Sequence, residues 1–552
     1  MMKTKKFILF GLLALLSLNI TAQEMVKDIR TGVSSGISLS TSLVNVNGML
    51  FFAANNGTTG EELWKSDGTT AGTVMVKDIK SGANGSIPAK LINVNSTLFF
   101  VADDGTNGAE LWKSDGTSAG TVMVKDILPG SNGSNPYPTD FISFNSTLFF
   151  SADDGTSGTE LWKSDGTDAG TVMIKDIQPG LNSSNPSKFI DVNGTLYFSA
   201  GDITNGMELW KSDGTTAGTV MVKDIKPGAN GSNPGGFTNV NGTIYFKADN
   251  GTNGTELWKS DGTTAGTVMV KDIQTGSTSS ETAGFINING SLYFWADDGT
   301  NGMELWRSDG TDAGTVMVKD IWTGSSSSHP SFLSEFNGKL FFSADDGTNG
   351  TELWTSDGTT GGTVMVKDIK SGSGGSGPFN FFSFNNTLYF GADDGTVGVE
   401  LWKSDGTTTG TVMVKNIYTG ASNSNPSGFI EVNGALYFTA ANYYGRELWK
   451  LTGTTSVREI TSATPKDFSI YQNYPNPFNP TSTIRYDVPK TGFVKISVYD
   501  ILGKEIKTLV SEEKNPGSYE ITFEVNGVAS GIYYYTIRTG DFTQSRKMIL
   551  MK

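Results

Sequence analysis

The chain has 552 residues, a net charge of −15, no cysteine and one histidine. Without cysteine there are no disulfides, no thiol catalysis, no thiolate metal sites and no lipidated N-terminal cysteine. With His329 alone, in the loop-like "SSSSHPS", no His-based triad or zinc site can be built, and the acidic balance makes nucleic acid and anionic lipid poor partners.

The N-terminus, "MMKTKKFILFGLLALLSLNITAQ", pairs a basic head (Lys3, Lys5, Lys6) with an apolar run from Phe7 to Ile20 and a small residue, Ala22. That run is too short to span a bilayer, and residues 1–23 read as a secretory signal peptide removed from the mature chain. No later segment is apolar enough to cross a membrane.

Residues 24–460 are a repeat. "ELW" recurs at Trp64, Trp112, Trp162, Trp210, Trp258, Trp306, Trp354, Trp402 and Trp449, at a spacing of 48 with one step of 50 and one of 47. A period of this length marks one supersecondary unit used many times. In "FIDVNGTLYFSAGDITNGMELWKSDGTTAGTVMVKDI", Phe189 to Ile225, four short strands are predicted: "FIDV", "TLYFSA", "MELWKS" and "TVMVKDI". "NG" is a two-residue hairpin signal, "DGTTAG" a longer turn, and the 69 glycines of the chain suit such turns. The consecutive apolar Leu196, Tyr197 and Phe198 predict sheets covered on both faces. The expected fold is an all-β, multi-bladed β-propeller of about nine four-stranded blades, with eight as the alternative. "VKDI" at Val26–Ile29 is a candidate outer strand for the final blade, and "VREI" at Val457–Ile460 competes with it for that place.

The phrase resembles the ELWxxDGT repeat family of secreted bacterial proteins. The resemblance implies a propeller and little about activity, since a repeat and not a reaction defines that family.

Identical residues in every unit suit packing better than a site. Each Trp is expected between blades. The Glu before each Leu-Trp, from Glu62 to Glu447, is expected to pair across the hairpin with the Lys of "VKDI". "ADDGTNG" and its variants suit a tight turn. The alternative there is calcium, held by Asp103, Asp104, Asp153, Asp154, Asp297, Asp298, Asp345, Asp346, Asp393 and Asp394; otherwise no cofactor is required. Binding is expected where units differ, and the candidate ligand residues are the aromatic departures Trp295, Trp322, Tyr418, Tyr443 and Tyr444. No catalytic residue is assigned. Asp191, Glu335 and Glu431, in one slot before "VNG" or "FNG", are the only candidates for a carbohydrate hydrolase or lyase.

After a linker at 461–468, the composition changes at 469–552. Prolines cluster in "YQNYPNPFNPTSTIRYDVP", and strand-like runs such as "FVKISVYD", "SYEITFEV" and "GIYYYTIR" predict a small Ig-like β-sandwich. The run from Asn473 to Pro480, "VYDILGKEI" from Val498, "GIYYYTI" from Gly531 and the terminal "KMILMK" resemble the type A C-terminal sorting domain of the type IX secretion system. The resemblance implies that the secretion machinery is a partner and that the chain is released or held on the outer cell surface. The expected function is a secreted or surface-displayed binding or adhesion scaffold, with a glycan or protein ligand and without an enzymatic role as the favoured reading.

Overall fold

The computed structural model describes residues 22–134, 141–452, 457–461, 465–478, 481–524, 530–540 and 542–551. The expected signal peptide lies outside them except for its last two residues. The chain divides into two compact units, one made of Glu24–Val432 with Leu436–Lys450, the other built around Leu451–Lys552. Secondary structure among the described residues is all β.

The first unit is a series of four-stranded antiparallel sheets, blade-like and consistent with a propeller. Nine such sheets occur among its described residues, numbered here 1 to 9 in chain order. Sheet 4 is representative, with strands Ser187–Val192, Thr195–Asp202, Gly206–Ser212 and Val220–Lys223. The "NG" turn is made by Asn193 and Gly194, both left-handed at φ 53° and 77°, as a two-residue hairpin requires. The "DGTTAG" turn is held by Asp213, whose Oδ1 accepts from the Thr215 amide at 2.9 Å and its hydroxyl at 2.7 Å. Gly262, the glycine of the same turn in sheet 5, has φ 86°, and a Cβ there would lie 2.1 Å from the Tyr197 hydroxyl of sheet 4. The glycine of "DGT" is therefore where the previous sheet's aromatic ring lands.

Sheets pack face to face. One face of sheet 4 (Tyr197, Leu209, Val222, Ile225) and the opposite face of sheet 5 (Ile244, Phe246, Ala248, Trp258) form one core cluster. Clusters of the same composition join sheets 1 to 2 and 7 to 8. Each Trp thus fills a seam, as expected from its place in a strand covered on both sides. The first strand of each sheet contacts that of the next, and the first strand of sheet 9, Ser427–Val432, contacts that of sheet 1, Val44–Val46.

Sheet 9 takes its fourth strand from the other end of the sequence: Ala22–Lys27 lies beside Gly445–Thr452. "VREI" does not occupy that place. Val457–Thr461 pairs instead with Gly517–Glu524 in the second unit. The reason is position: the outer edge of sheet 9 is already covered by the N-terminal copy of the strand.

Among its described residues the second unit holds two four-stranded sheets. Ile484, Tyr486, Tyr519 and Ile521 of one sheet, and Val494, Ile496, Tyr535 and Ile537 of the other, share a single core.

Candidate functional site

The "ELW" carboxylates from Glu62 to Glu400 build one local structure, and Glu447 a variant in which the Ile29 and Gly36 amides are the donors. Glu208 is fully buried. Its Oε1 accepts from the Lys226 and Ser232 amides at 3.2 and 2.8 Å, and its Oε2 from the Ile225 amide and the Ser232 hydroxyl at 3.1 and 2.6 Å. These donors belong to the linker that leads to the next sheet. Capture of the Ile225 amide also explains why the last strand ends at Lys223 and not at "DI". Burial raises the carboxyl above its usual range against the pull of these hydrogen bonds; in Glu256 and Glu447 it reaches about 7.

The expected Glu–Lys pair is corrected by this geometry. The "VKDI" lysine reaches the next sheet, where Lys223 Nζ lies 5.9 Å from the Trp258 ring centre and donates to the Thr267 carbonyl at 2.8 Å. The signal for the true partner was present in the sequence: a serine follows each glutamate by 24 residues from Glu62–Ser86 to Glu400–Ser424.

The variable residue after "VKDI" leans on the next sheet's second turn. Lys80 pairs with Asp103 at 2.5 Å, Lys226 with Asp249 at 2.5 Å and Lys370 with Asp393 at 2.7 Å. Trp322 takes the same place with its indole against Gly347, where a Cβ would lie 2.5 Å from Nε1. It is half-buried and anchored through its amide to Glu304. Tyr418 is anchored likewise to Glu400. Trp295 lies elsewhere, in the second strand of sheet 6, with its ring against Gly284. Tyr443 and Tyr444 form the second turn of sheet 9, at 69% and 47% exposure, with rings edge to face at 5.7 Å. Strand alternation puts Trp322, Tyr418, Tyr443 and Tyr444 at the same end of their sheets, the end that carries the Glu-held linkers. Trp322 stands against sheet 7, while Tyr418 leads into sheet 9, which carries the tyrosine pair.

The aspartate pairs are occupied by turn geometry. Asp104 Oδ1 accepts from the Thr106 and Asn107 amides at 2.8 Å, and Oδ2 from Asn107 Nδ2. Asp103 Oδ1 accepts from the Gly105 amide and Oδ2 from Lys80. Asp154, Asp298, Asp346 and Asp394 repeat the first pattern. Asp153, Asp297, Asp345 and Asp393 repeat the bond to the glycine amide. Among the described residues no group of three or more His, Asp or Glu is placed to hold a metal ion. In the slot of Asp191, Glu335 and Glu431, two are turn chemistry: Asp191 accepts from the Gly194 amide at 2.9 Å and Glu335 from that of Gly338 at 2.6 Å, as Asn239 does from Gly242; Glu431 accepts from Asn45 through its backbone carbonyl. His329 is exposed in a linker at φ 48°.

In the second unit, three of the stretches that carry the resemblance meet. The Tyr535 hydroxyl donates to the Tyr471 carbonyl and accepts from the Asn473 amide, both at 2.8 Å. Asn473 Nδ2 donates to Ser482 Oγ at 2.8 Å, and the Ser482 hydroxyl to the Pro475 carbonyl at 2.7 Å. The Ile549 amide donates to Asn476 Oδ1 at 2.9 Å, and Phe478 bonds through its backbone to Ile549 and Met551. The proline-rich run is thus fastened to "GIYYYTI" and to the last strand. The "ILG" turn is different: Asp500 caps it, and Leu502 stands 88% exposed.

The family model described as "Secretion system C-terminal sorting domain" matches residues 472–551, so the chain carries a type IX secretion C-terminal sorting domain there. No curated protein matches the chain. Among solved structures, it is similar to PorZ, described as an essential bacterial surface component of the type IX secretion system of Porphyromonas gingivalis. The identity is 11% over 92% of this chain and 75% of that one, with a TM-score of 0.33. It is also similar to a puromycin-hydrolyzing peptidase of Mycobacterium tuberculosis, at 11% identity over 64% of this chain and 58% of that one, with a TM-score of 0.35. Likenesses at this level say nothing of activity. No helix among the described residues is long and apolar enough to cross a membrane.

Proposed function

We propose that this protein is a type IX secretion cargo whose first unit is a nine-bladed propeller of the ELWxxDGT kind, displayed or released outside the cell as a binding scaffold. The observation that carries the export half is the sorting domain at 472–551. A partner in the secretion machinery and a final place outside the cell follow from it. The second unit is read as an Ig-like sandwich, its two sheets sharing one core.

The scaffold half rests on what the repeated residues do. The Trp, Glu, Lys and Gly of each unit are consumed in seams, linkers and turns, and two of the carboxylates that would serve an enzyme, Asp191 and Glu335, cap turns. What varies is the linker end of the sheets, where Tyr443 and Tyr444 are exposed and Trp322 and Tyr418 are anchored through their amides. Binding of a glycan or protein ligand at that end is the reading this arrangement supports best. The test is twofold. Deleting 472–551 is expected to stop export and trap the chain inside the cell; unchanged export would sink the cargo reading. The exported chain, probed on glycan and matrix-protein arrays with and without calcium, is expected to retain a ligand that Tyr443→Ala/Tyr444→Ala weakens.

A further inference from the structure

One recess on the first unit belongs to none of the repeated structures. Sheet 2 begins with a six-residue strand, Ala89–Val94, and most sheets do the same. Sheets 1 and 3 do not: their first strands are only Val44–Val46 and Ile142–Phe144, and in sheet 1 Ser38–Leu43 run as turn and coil. Between this coil, Ala89–Ile92 of sheet 2 and Phe141 of sheet 3 lies a hollow of about 630 Å³, within the size range of small-molecule sites, roughly 300–1,000 Å³.

Its lining departs from the repeat. Ser38, Thr41 and Ser42 supply hydroxyls on one side, with Ser38 Oγ 2.8 Å from Thr41 Oγ1. Leu91 supplies an apolar wall, and Lys90 and Glu61 supply one charge of each sign. Glu61 precedes the invariant Glu62, and its counterparts in sheets 2 to 8 are Ala109, Thr159, Met207, Thr255, Met303, Thr351 and Val399. None of those is a carboxylate. In sheet 9 the same register holds Arg446, which is buried and bonds to Ser427, Thr439 and the Ser424 carbonyl. Partial burial raises the Glu61 carboxyl above its usual range, so a cationic partner is rewarded there.

We infer that this recess binds an amino-sugar unit of a glycan. The hydroxyl wall exchanges hydrogen bonds with sugar hydroxyls, the aliphatic wall covers the apolar face of the ring, and Glu61 accepts from the sugar ammonium. This deepens the reading of the ring as a binding scaffold and rests on it.

The experiment is calorimetric titration of the exported full chain with glucosamine, glucose and ethanolamine at neutral pH. Glucosamine is expected to bind at least tenfold more tightly than either of the others. Glu61→Thr, which places here the residue that sheets 3, 5 and 7 already carry, is expected to erase that preference with no change in melting temperature. Glu61→Gln is expected to erase it while keeping weak binding of both sugars. Equal binding of glucose and glucosamine overturns the inference, as does a preference that survives Glu61→Thr. A chain that engages array ligands yet fails this test keeps the scaffold reading and loses the pocket; a chain that binds nothing loses both.

Discussion

Lys77 holds its ammonium 5.8 Å from the centre of the Trp112 ring, one sheet along, and the same ammonium donates to the Thr121 carbonyl at 2.8 Å. Lys27 does the same to Trp64 and Thr73, although it stands at the opposite end of the sequence from the sheet it completes. The seam between sheets 9 and 1 is therefore built like the seams within the series.

Removing Glu24–Lys27 is expected to strip sheet 9 of its fourth strand and expose an unpaired edge. A lower melting temperature in calorimetry, with concentration-dependent association in size-exclusion chromatography, is the expected outcome. An unchanged melt would mean that closure contributes nothing.

Trp210→Ala is expected to destabilise the first unit by about 3–5 kcal/mol, the range for truncating a buried aromatic. Lys175→Met, which removes the ammonium lying 5.8 Å from the same ring, is expected to cost about 1 kcal/mol. Urea unfolding followed by Trp fluorescence separates the two.

Glu208→Ala leaves the Ser232 hydroxyl and the Ile225, Lys226 and Ser232 amides without their acceptor. A loss of about 1–3 kcal/mol is expected for each donor that stays buried and unpaired. The linker 226–232 is then the expected first site of cleavage in limited proteolysis.

The pH dependence follows from the same carboxyls. Their folded pKa values lie above the unfolded value, so the folded state holds more protons between the two and stability falls as pH rises through that window. For Glu256 and Glu447 the window runs from the ordinary carboxyl range to about 7. The first unit is expected to melt at a higher temperature at pH 5 than at pH 8. Below the ordinary carboxyl range the sign reverses, because turn aspartates such as Asp104 and Asp213 are held low by hydrogen bonds from their own turns and lose them on protonation. A melting temperature flat from pH 5 to 8 would contradict the first half.

Tyr535→Phe removes a hydroxyl that serves Tyr471 and Asn473 at once. The second unit is expected to lose about 1–3 kcal/mol, and export is expected to fall with it, measured as the ratio of extracellular to cell-retained protein.

Much of this was legible in sequence. The "NG" hairpins, the four strands per unit and the Trp seams followed from periodicity and turn chemistry, which are local. The sorting domain followed from its quoted stretches. The partners of Glu62 and Lys77 did not, because strand adjacency suggests a pair across one hairpin, while the side chains reach the linker and the next sheet. Glu61 is illegible for a related reason: beside an invariant glutamate it reads as one more surface carboxylate, and only the fold brings it to the lining of a hollow with Ser38–Ser42 and Ala89–Ile92.

By itself the sequence determined the repeat, its turns, the faces of its strands and the address at its C-terminus, since each depends on residues near one another in the chain. Only the tertiary structure decided that Ala22–Lys27 and not Val457–Thr461 completes sheet 9, and that Trp322 leans on a neighbouring turn while Tyr443 and Tyr444 stand in solvent. These are contests between distant segments for one edge or one space, and they are settled by which segment the closed series of sheets has already covered.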